Sequence, residues 1–105
     1  RPEGGYTPLH CAAETGQADV ALYLLENSAD IHGRNYWGFR PLHLAALSAR
    51  GGPSGLGHVE VARMLLERGA DPHVRDDYDR SPLTFVPDSG NAGLVRLFEP
   101  YASGD

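Results

Sequence analysis

Gly5-Tyr6-Thr7-Pro8-Leu9-His10-Cys11-Ala12-Ala13 and Gly38-Phe39-Arg40-Pro41-Leu42-His43-Leu44-Ala45-Ala46 are two versions of one pattern, 33 residues apart. Further along, Leu24-Leu25-Glu26-Asn27-Ser28-Ala29-Asp30 matches Leu65-Leu66-Glu67-Arg68-Gly69-Ala70-Asp71, now at an offset of 41. The second copy therefore carries eight extra residues, placed near Ala49 to Leu56. A third copy opens at Ser81-Pro82-Leu83-Thr84, 41 residues after Arg40-Pro41-Leu42-His43, and it is degenerate. Units of this size cannot each bury a core alone. Self-similarity at such a period predicts stacked supersecondary units sharing one continuous core.

The residues within each unit predict a helix pair. Pro8, Pro41 and Pro82 stand where a first helix begins, with φ preset and no amide hydrogen left unpaired. Thr7 and Ser81 precede them as caps, whereas Arg40 cannot cap in that way. Leu9, Ala12 and Ala13 form a narrow apolar stripe that lets a neighbouring helix approach closely. Gly16 breaks that helix, and Val20, Ala21, Leu24 and Leu25 face inward on a second one. In repeat two the same roles fall to Leu42, Ala45 and Ala46, then Val59, Val61, Ala62, Leu65 and Leu66. Gly69 supplies a left-handed stop, and Ser28 in its place predicts a more strained end in repeat one. Hairpin-like fingers follow each pair, Asp30 to Arg40 and Asp71 to Ser81. Gly38 serves the first finger's tight turn, and Asp79 stands in its place in the second. In the third copy Pro87 ends the first helix early, and the second is expected over Ala92 to Phe98, before Pro100. Such a degenerate last unit reads as a cap.

These residues resemble the ankyrin repeat, over about residues 4 to 101. The resemblance implies an all-α solenoid of stacked helix-turn-helix units with projecting β-hairpin-like fingers. It predicts a single domain over 1–105, with approximate repeats 4–36, 37–77 (insertion near 49–56) and 78–101. The pattern starts within a few residues of Arg1, so the chain reads as a piece of a longer protein or array. The family also implies structural roles for Thr7, His10 and His43, whose side chains hydrogen-bond locally and stitch one repeat to the next. His58 stands where the family often has histidine. His32 and His73 stand where it usually has asparagine, a position hydroxylated in some members; a loop hydrogen bond is the plainer reading.

Composition removes several classes of function. The 105 residues suffice for one core. A net charge of −5 argues against binding a nucleic-acid backbone. No apolar run approaches a membrane span. All nine basic residues are arginine, so no Schiff-base or phosphate-loop lysine exists. Codon bias explains that absence, as would selection against lysine modification. Cys11 is the single cysteine and reads as a small core residue. Beside His10 on a helix it points about 100° away, so the two do not share an ion. Asp76-Asp77 reads as a solvated loop. No catalytic residue, metal site or cofactor is expected.

Regular positions serve stacking, and irregular ones are free for recognition. The expected partner-binding set is Arg34, Tyr36, Trp37, Phe39, Arg40, Leu47, Ser48, Arg75, Asp77, Tyr78 and Arg80, with Tyr6, Glu14, Thr15, Asp88 and Ser89 as further irregular positions. Three aromatics and two arginines crowd the first finger, and such residues are enriched at binding hot spots. The other reading is that Trp37 or Phe39 packs on the neighbouring finger. The Gly/Pro/Ser-rich insertion reads as a tolerated loop or as a partner-contacting one through Leu56. The resulting expectation is a non-catalytic intracellular module that presents a concave surface to a protein or peptide. The alternative is a regulatory or targeting domain of a larger protein, such as an enzyme or ubiquitin-ligase adaptor, whose activity lies elsewhere. A monomer is expected, with self-association through the repeat-one face around Cys11, Ala18 and Leu22 as the other arrangement.

Overall fold

A computed structural model describes residues 7–35, 38–49, 56–87 and 89–102. Among these residues six helices follow in order: α1 (Pro8–Thr15), α2 (Ala18–Glu26), α3 (Pro41–Ser48), α4 (Leu56–Glu67), α5 (Pro82–Phe85) and α6 (Ala92–Ala102). They stack as three pairs in two rows. The first helices pack α1 on α3 and α3 on α5, and the second helices pack α2 on α4 and α4 on α6. Among the described residues no strand forms.

Each first helix begins as its sequence dictates. The Thr7 side chain accepts from the His10 amide at 3.3 Å. His10 Nδ1 in turn accepts from the Thr7 amide at 3.2 Å. Arg40 contributes no side-chain cap, but its amide donates to His43 Nδ1 at 3.1 Å. In α5 the ring is gone, and the Ser81 amide donates to Thr84 Oγ1 at 3.1 Å. Helix α3 lies between α1 and α5, and every residue from Pro41 to Ala46 is buried. That burial on all sides is what a central helix of a stack requires.

Four expectations are corrected. Val20 does not face inward: it is 43% exposed, whereas Val61 at the equivalent place in α4 is fully buried against repeat one. Cys11 is exposed rather than a core residue, while its counterpart Leu44 is buried. Both corrections have one cause, since these positions face the preceding repeat of a stack. Helix α6 runs through Pro100 to Ala102 instead of ending before it. The proline falls in the helix's last turn, where its missing amide removes one bond and little helix follows. Asp76 is buried rather than solvated, with its side chain fully enclosed.

The inserted segment leads into helix at its last residue, Leu56. Residues 50–55 lie outside the described residues, but α4 begins at Leu56 and is one turn longer than α2. This extra turn docks on repeat one. His58 Nε2 donates to the Glu14 carbonyl at 2.9 Å. Gly57 sits so close to the Gly16 carbonyl that any Cβ there would collide with it.

Candidate functional site

The two fingers are built alike. Asn35 and Asp76, 41 residues apart, each close a turn by accepting amides on the side chain. Asn35 Oδ1 accepts from the Phe39 amide at 2.9 Å, and the Asn35 amide donates to the Phe39 carbonyl at 3.0 Å. Asp76 Oδ1 accepts from the Tyr78 and Arg80 amides at 2.8 and 2.9 Å, and its own amide donates to the Arg80 carbonyl at 2.8 Å. The residue three positions on is left-handed in both fingers: Gly38 at φ 78° and Asp79 at φ 64°. Aspartate tolerates that region better than most side chains, so the second turn keeps the geometry of the first.

Histidines fix the fingers to the helices. His10 Nε2 donates to the Phe39 carbonyl and His43 Nε2 to the Arg80 carbonyl, each at 2.9 Å. A carbonyl only accepts, so Nε2 carries the proton in both rings. Nδ1 is then the acceptor for the cap amide. Burial, above all, lowers the His43 pKa, outweighing the Arg80 carbonyl and the Asp76 charge that would raise it. Burial pushes the Asp76 pKa up, but the amides of Arg80 and Tyr78 and the Arg80 guanidinium together hold it below the usual carboxylate range.

Arg80 is the hub between the fingers. Its Nε donates to Asp76 Oδ2 at 2.9 Å. Its guanidinium carbon lies 5.0 Å from the Tyr78 ring centre, 5.3 Å from Phe85 and 5.5 Å from Phe39. Phe39 and Phe85 meet edge to face at 6.4 Å. Arg34 bridges the fingers at their surface through Asp77, at 2.9 Å.

The expected contact residues therefore divide. Arg34, Arg75, Asp77 and Tyr78 are exposed on the fingers, with Tyr78 64% accessible. Arg40 and Arg80 are half-buried, and Arg40 donates to the His32 carbonyl at 3.1 Å. Phe39 is only 7% exposed and packs against His43, Phe85 and Arg80, so it faces the core rather than the surface. Leu47 is exposed and Ser48 half-buried at the far end of α3, about 9 Å along the axis from the fingers. Tyr36, Trp37 and Asp88 lie outside the described residues, as does Tyr6. The reading from sequence passed over Asn35 and Asp76 as organising residues. Their signal was two Asx residues at one register, each followed three residues later by a turn position.

His32 and His73 are exposed, and each backbone amide donates to the aspartate two residues earlier, at 2.9 and 2.8 Å. Among the described residues no three His, Cys, Asp or Glu side chains converge as a metal site would require. Nor is any described helix long and apolar enough to cross a membrane.

The family model described as ankyrin repeats matches residues 2–76, more than half of the chain. The chain belongs to the ankyrin-repeat family. It is 51% identical over 43 residues to a protein of Rickettsia bellii (strain RML369-C) whose name assigns it to the ankyrin repeats. That match covers 41% of this chain and 18% of the relative, so the chain spans less than a fifth of the relative's length. Helices α5 and α6 lie beyond the family match and stack as the third pair. Ankyrin repeats generally mediate protein–protein interaction and are generally non-catalytic.

Proposed function

We propose that this chain is a non-catalytic, intracellular protein-interaction module that binds a protein or peptide across its two fingers. The contact set is Arg34, Tyr36, Trp37, Arg40, Arg75, Asp77, Tyr78 and Arg80, extended along α3 by Leu47 and Ser48. The observation that carries this reading is the division of labour in the second finger. Arg80, Asp76 and Phe39 hold the turn rigid from below, and the Tyr78 ring stands largely exposed above it. A preformed exposed aromatic flanked by arginines loses little entropy on binding. Trp37 occupies the Tyr78 register in the first finger.

Peptide display selected on the wild-type chain tests this. Tyr78→Ala and Trp37→Ala should each weaken selected peptides at least about tenfold, a hot-spot-sized loss, with thermal unfolding unchanged for Tyr78→Ala. Peptides that bind both variants as tightly as wild type would move the site off the fingers.

A second reading has one observation in its favour. The relative is several times longer than the matched region. In that reading these repeats regulate or target a larger protein whose activity lies in other residues.

A further inference from the structure

The two fingers carry four arginines, and three of them have a carboxylate of their own. Arg34 meets Asp77 at 2.9 Å, Arg80 meets Asp76 at 2.9 Å and Arg75 meets Asp79 at 4.0 Å. Arg40 is the fourth, and among the described residues no carboxylate pairs with it. Its guanidinium is nonetheless placed. Nη1 donates to the His32 carbonyl at 3.1 Å, and the side chain is half-buried. An arginine has five N–H donors, and that bond uses one. Nε is enclosed and reaches no acceptor among the described residues.

Arginine at this register does not serve the helix it precedes. Thr7 stands there in repeat one and caps α1 with its hydroxyl, and Ser81 stands there in repeat three. Arg40 gives α3 no side-chain cap. One residue thus forgoes a cap and leaves a charged donor unmet, and both choices lower stability. Local rules give way in this manner at functional sites.

We infer, as a step that rests on the finger site proposed above, that Arg40 receives a carboxylate from the partner: the bound peptide presents an aspartate or glutamate side chain to it. A guanidinium already held by the His32 carbonyl offers a carboxylate a charge-assisted, two-pronged contact with little ordering left to do. A phosphate matches less well. Arginine clusters take phosphates, and the other finger arginines are already matched by Asp76, Asp77 and Asp79. A peptide's terminal carboxylate also matches less well. Such ends are caught by free backbone amides in a nest. Here the amides of His32, Gly38, Phe39, Tyr78 and Arg80 already donate within the fingers.

Peptides selected by display on the wild-type chain, then synthesised with free and amidated C-termini, are the probe. Their consensus is expected to hold one Asp or Glu at a fixed place. Replacing that acid with its amide should weaken binding to wild type about tenfold or more, the worth of a charged hydrogen bond. The same replacement should leave binding to Arg40→Thr unchanged. Arg40→Thr installs the cap of repeat one, so circular dichroism should show a folded chain that melts no earlier than wild type. Amidating the C-terminus should change nothing. Peptides that lose affinity at Tyr78→Ala but hold no fixed acid would overturn the inference and leave the finger site standing. So would an equal amide effect on wild type and Arg40→Thr, a loss on C-terminal amidation, or an Arg40→Thr chain that melts well before wild type. Peptides indifferent to Tyr78→Ala and Trp37→Ala, yet coupled through their acid to Arg40, would keep the carboxylate contact and move the rest of the site off those aromatics. A selection that yields no binder would overturn both.

Discussion

Replacing Gly38 with alanine tests how the fingers are held. Gly38 has φ 78°, and an added Cβ would stand 2.6 Å from Asp77 Oδ1, 2.8 Å from Arg34 Nη2 and 2.9 Å from the Asp77 amide nitrogen. Left-handed backbone costs an alanine about 1–2 kcal/mol. The Arg34–Asp77 pair is half exposed and can swing aside, forfeiting at most about 1 kcal/mol. The Asp77 amide cannot move without moving the second finger, an overpacking cost of about 1–3 kcal/mol. We expect a loss near 3 kcal/mol, which for a domain of this size lowers Tm by roughly 12–24 °C. Thermal and urea unfolding by circular dichroism would read it. In an Asp77→Ala background the side-chain clash vanishes, but the strain at φ and the amide contact stay, so most of the loss should persist. The reverse change at the matching site, Asp79→Gly at φ 64°, removes strain and should be neutral or stabilising by about 0.5 kcal/mol. Gly38→Ala unfolding together with wild type would refute the reasoning.

Stability should fall in two acid steps. Because the folded His43 pKa lies below its unfolded value, the unfolded chain binds the extra proton first, and stability declines as pH drops below about 6.5. Asp76, also lowered, adds a second loss as pH falls below about 3.9. Urea midpoints across pH would show this, and His43→Gln should flatten the first step; an equal slope in that variant would assign it elsewhere. Asp76→Ala strands the part-buried amides of Tyr78 and Arg80 and unpairs the Arg80 guanidinium, and should cost about 1–3 kcal/mol, well above Asp77→Ala, as measured by chemical denaturation. Gly57→Ala should cost about 1–3 kcal/mol by driving α4 off the Gly16 carbonyl. Gly93→Ala, the second residue of α6, meets Asn91 Oδ1 at 3.3 Å and Val59 at 3.8 Å and so should cost less than Gly57→Ala, and comparable melting of the two would discount the contact.

The stack was legible because its signals are local. A proline at the first helical position acts within one turn of helix, so the starts of α1, α3 and α5 read directly from the chain, even where Arg40 offers no side-chain cap. Ser28 at φ 70° takes the strained left-handed end that the missing glycine implied. What failed was environment. Val20 and Val61 occupy one register, yet one is exposed and the other buried. The difference lies in whether a neighbour stands beyond the helix, which no residue type encodes. Phe39 took the packing alternative, and Asp76 departed from the solvated reading. An aromatic and a carboxylate on a finger suggest surface, but Phe39 lies against His43 and Phe85 while Asp76 collects amides from its own turn. The first is a long-range fact, set by packing between the repeats, and the second is set within the turn itself.

That folding explains why one arginine matters so widely. Asp76 holds the Arg80 amide and guanidinium together, while the Arg80 carbonyl accepts a hydrogen bond from His43 Nε2 on the helix below. The guanidinium plane then serves three rings, two on the core side and one, Tyr78, on the open side. Its charge is matched by Asp76, so the cost of half-burying it is offset within the finger. A lysine here would satisfy the carboxylate but could not spread a planar cation against three rings. The same side chain that secures the junction between repeats two and three thus sets the position of the exposed Tyr78 ring. Stability and the proposed recognition surface meet at Arg80, whereas at Tyr78 they separate. Changes at Arg80 should lower both melting temperature and affinity, and changes at Tyr78 affinity alone.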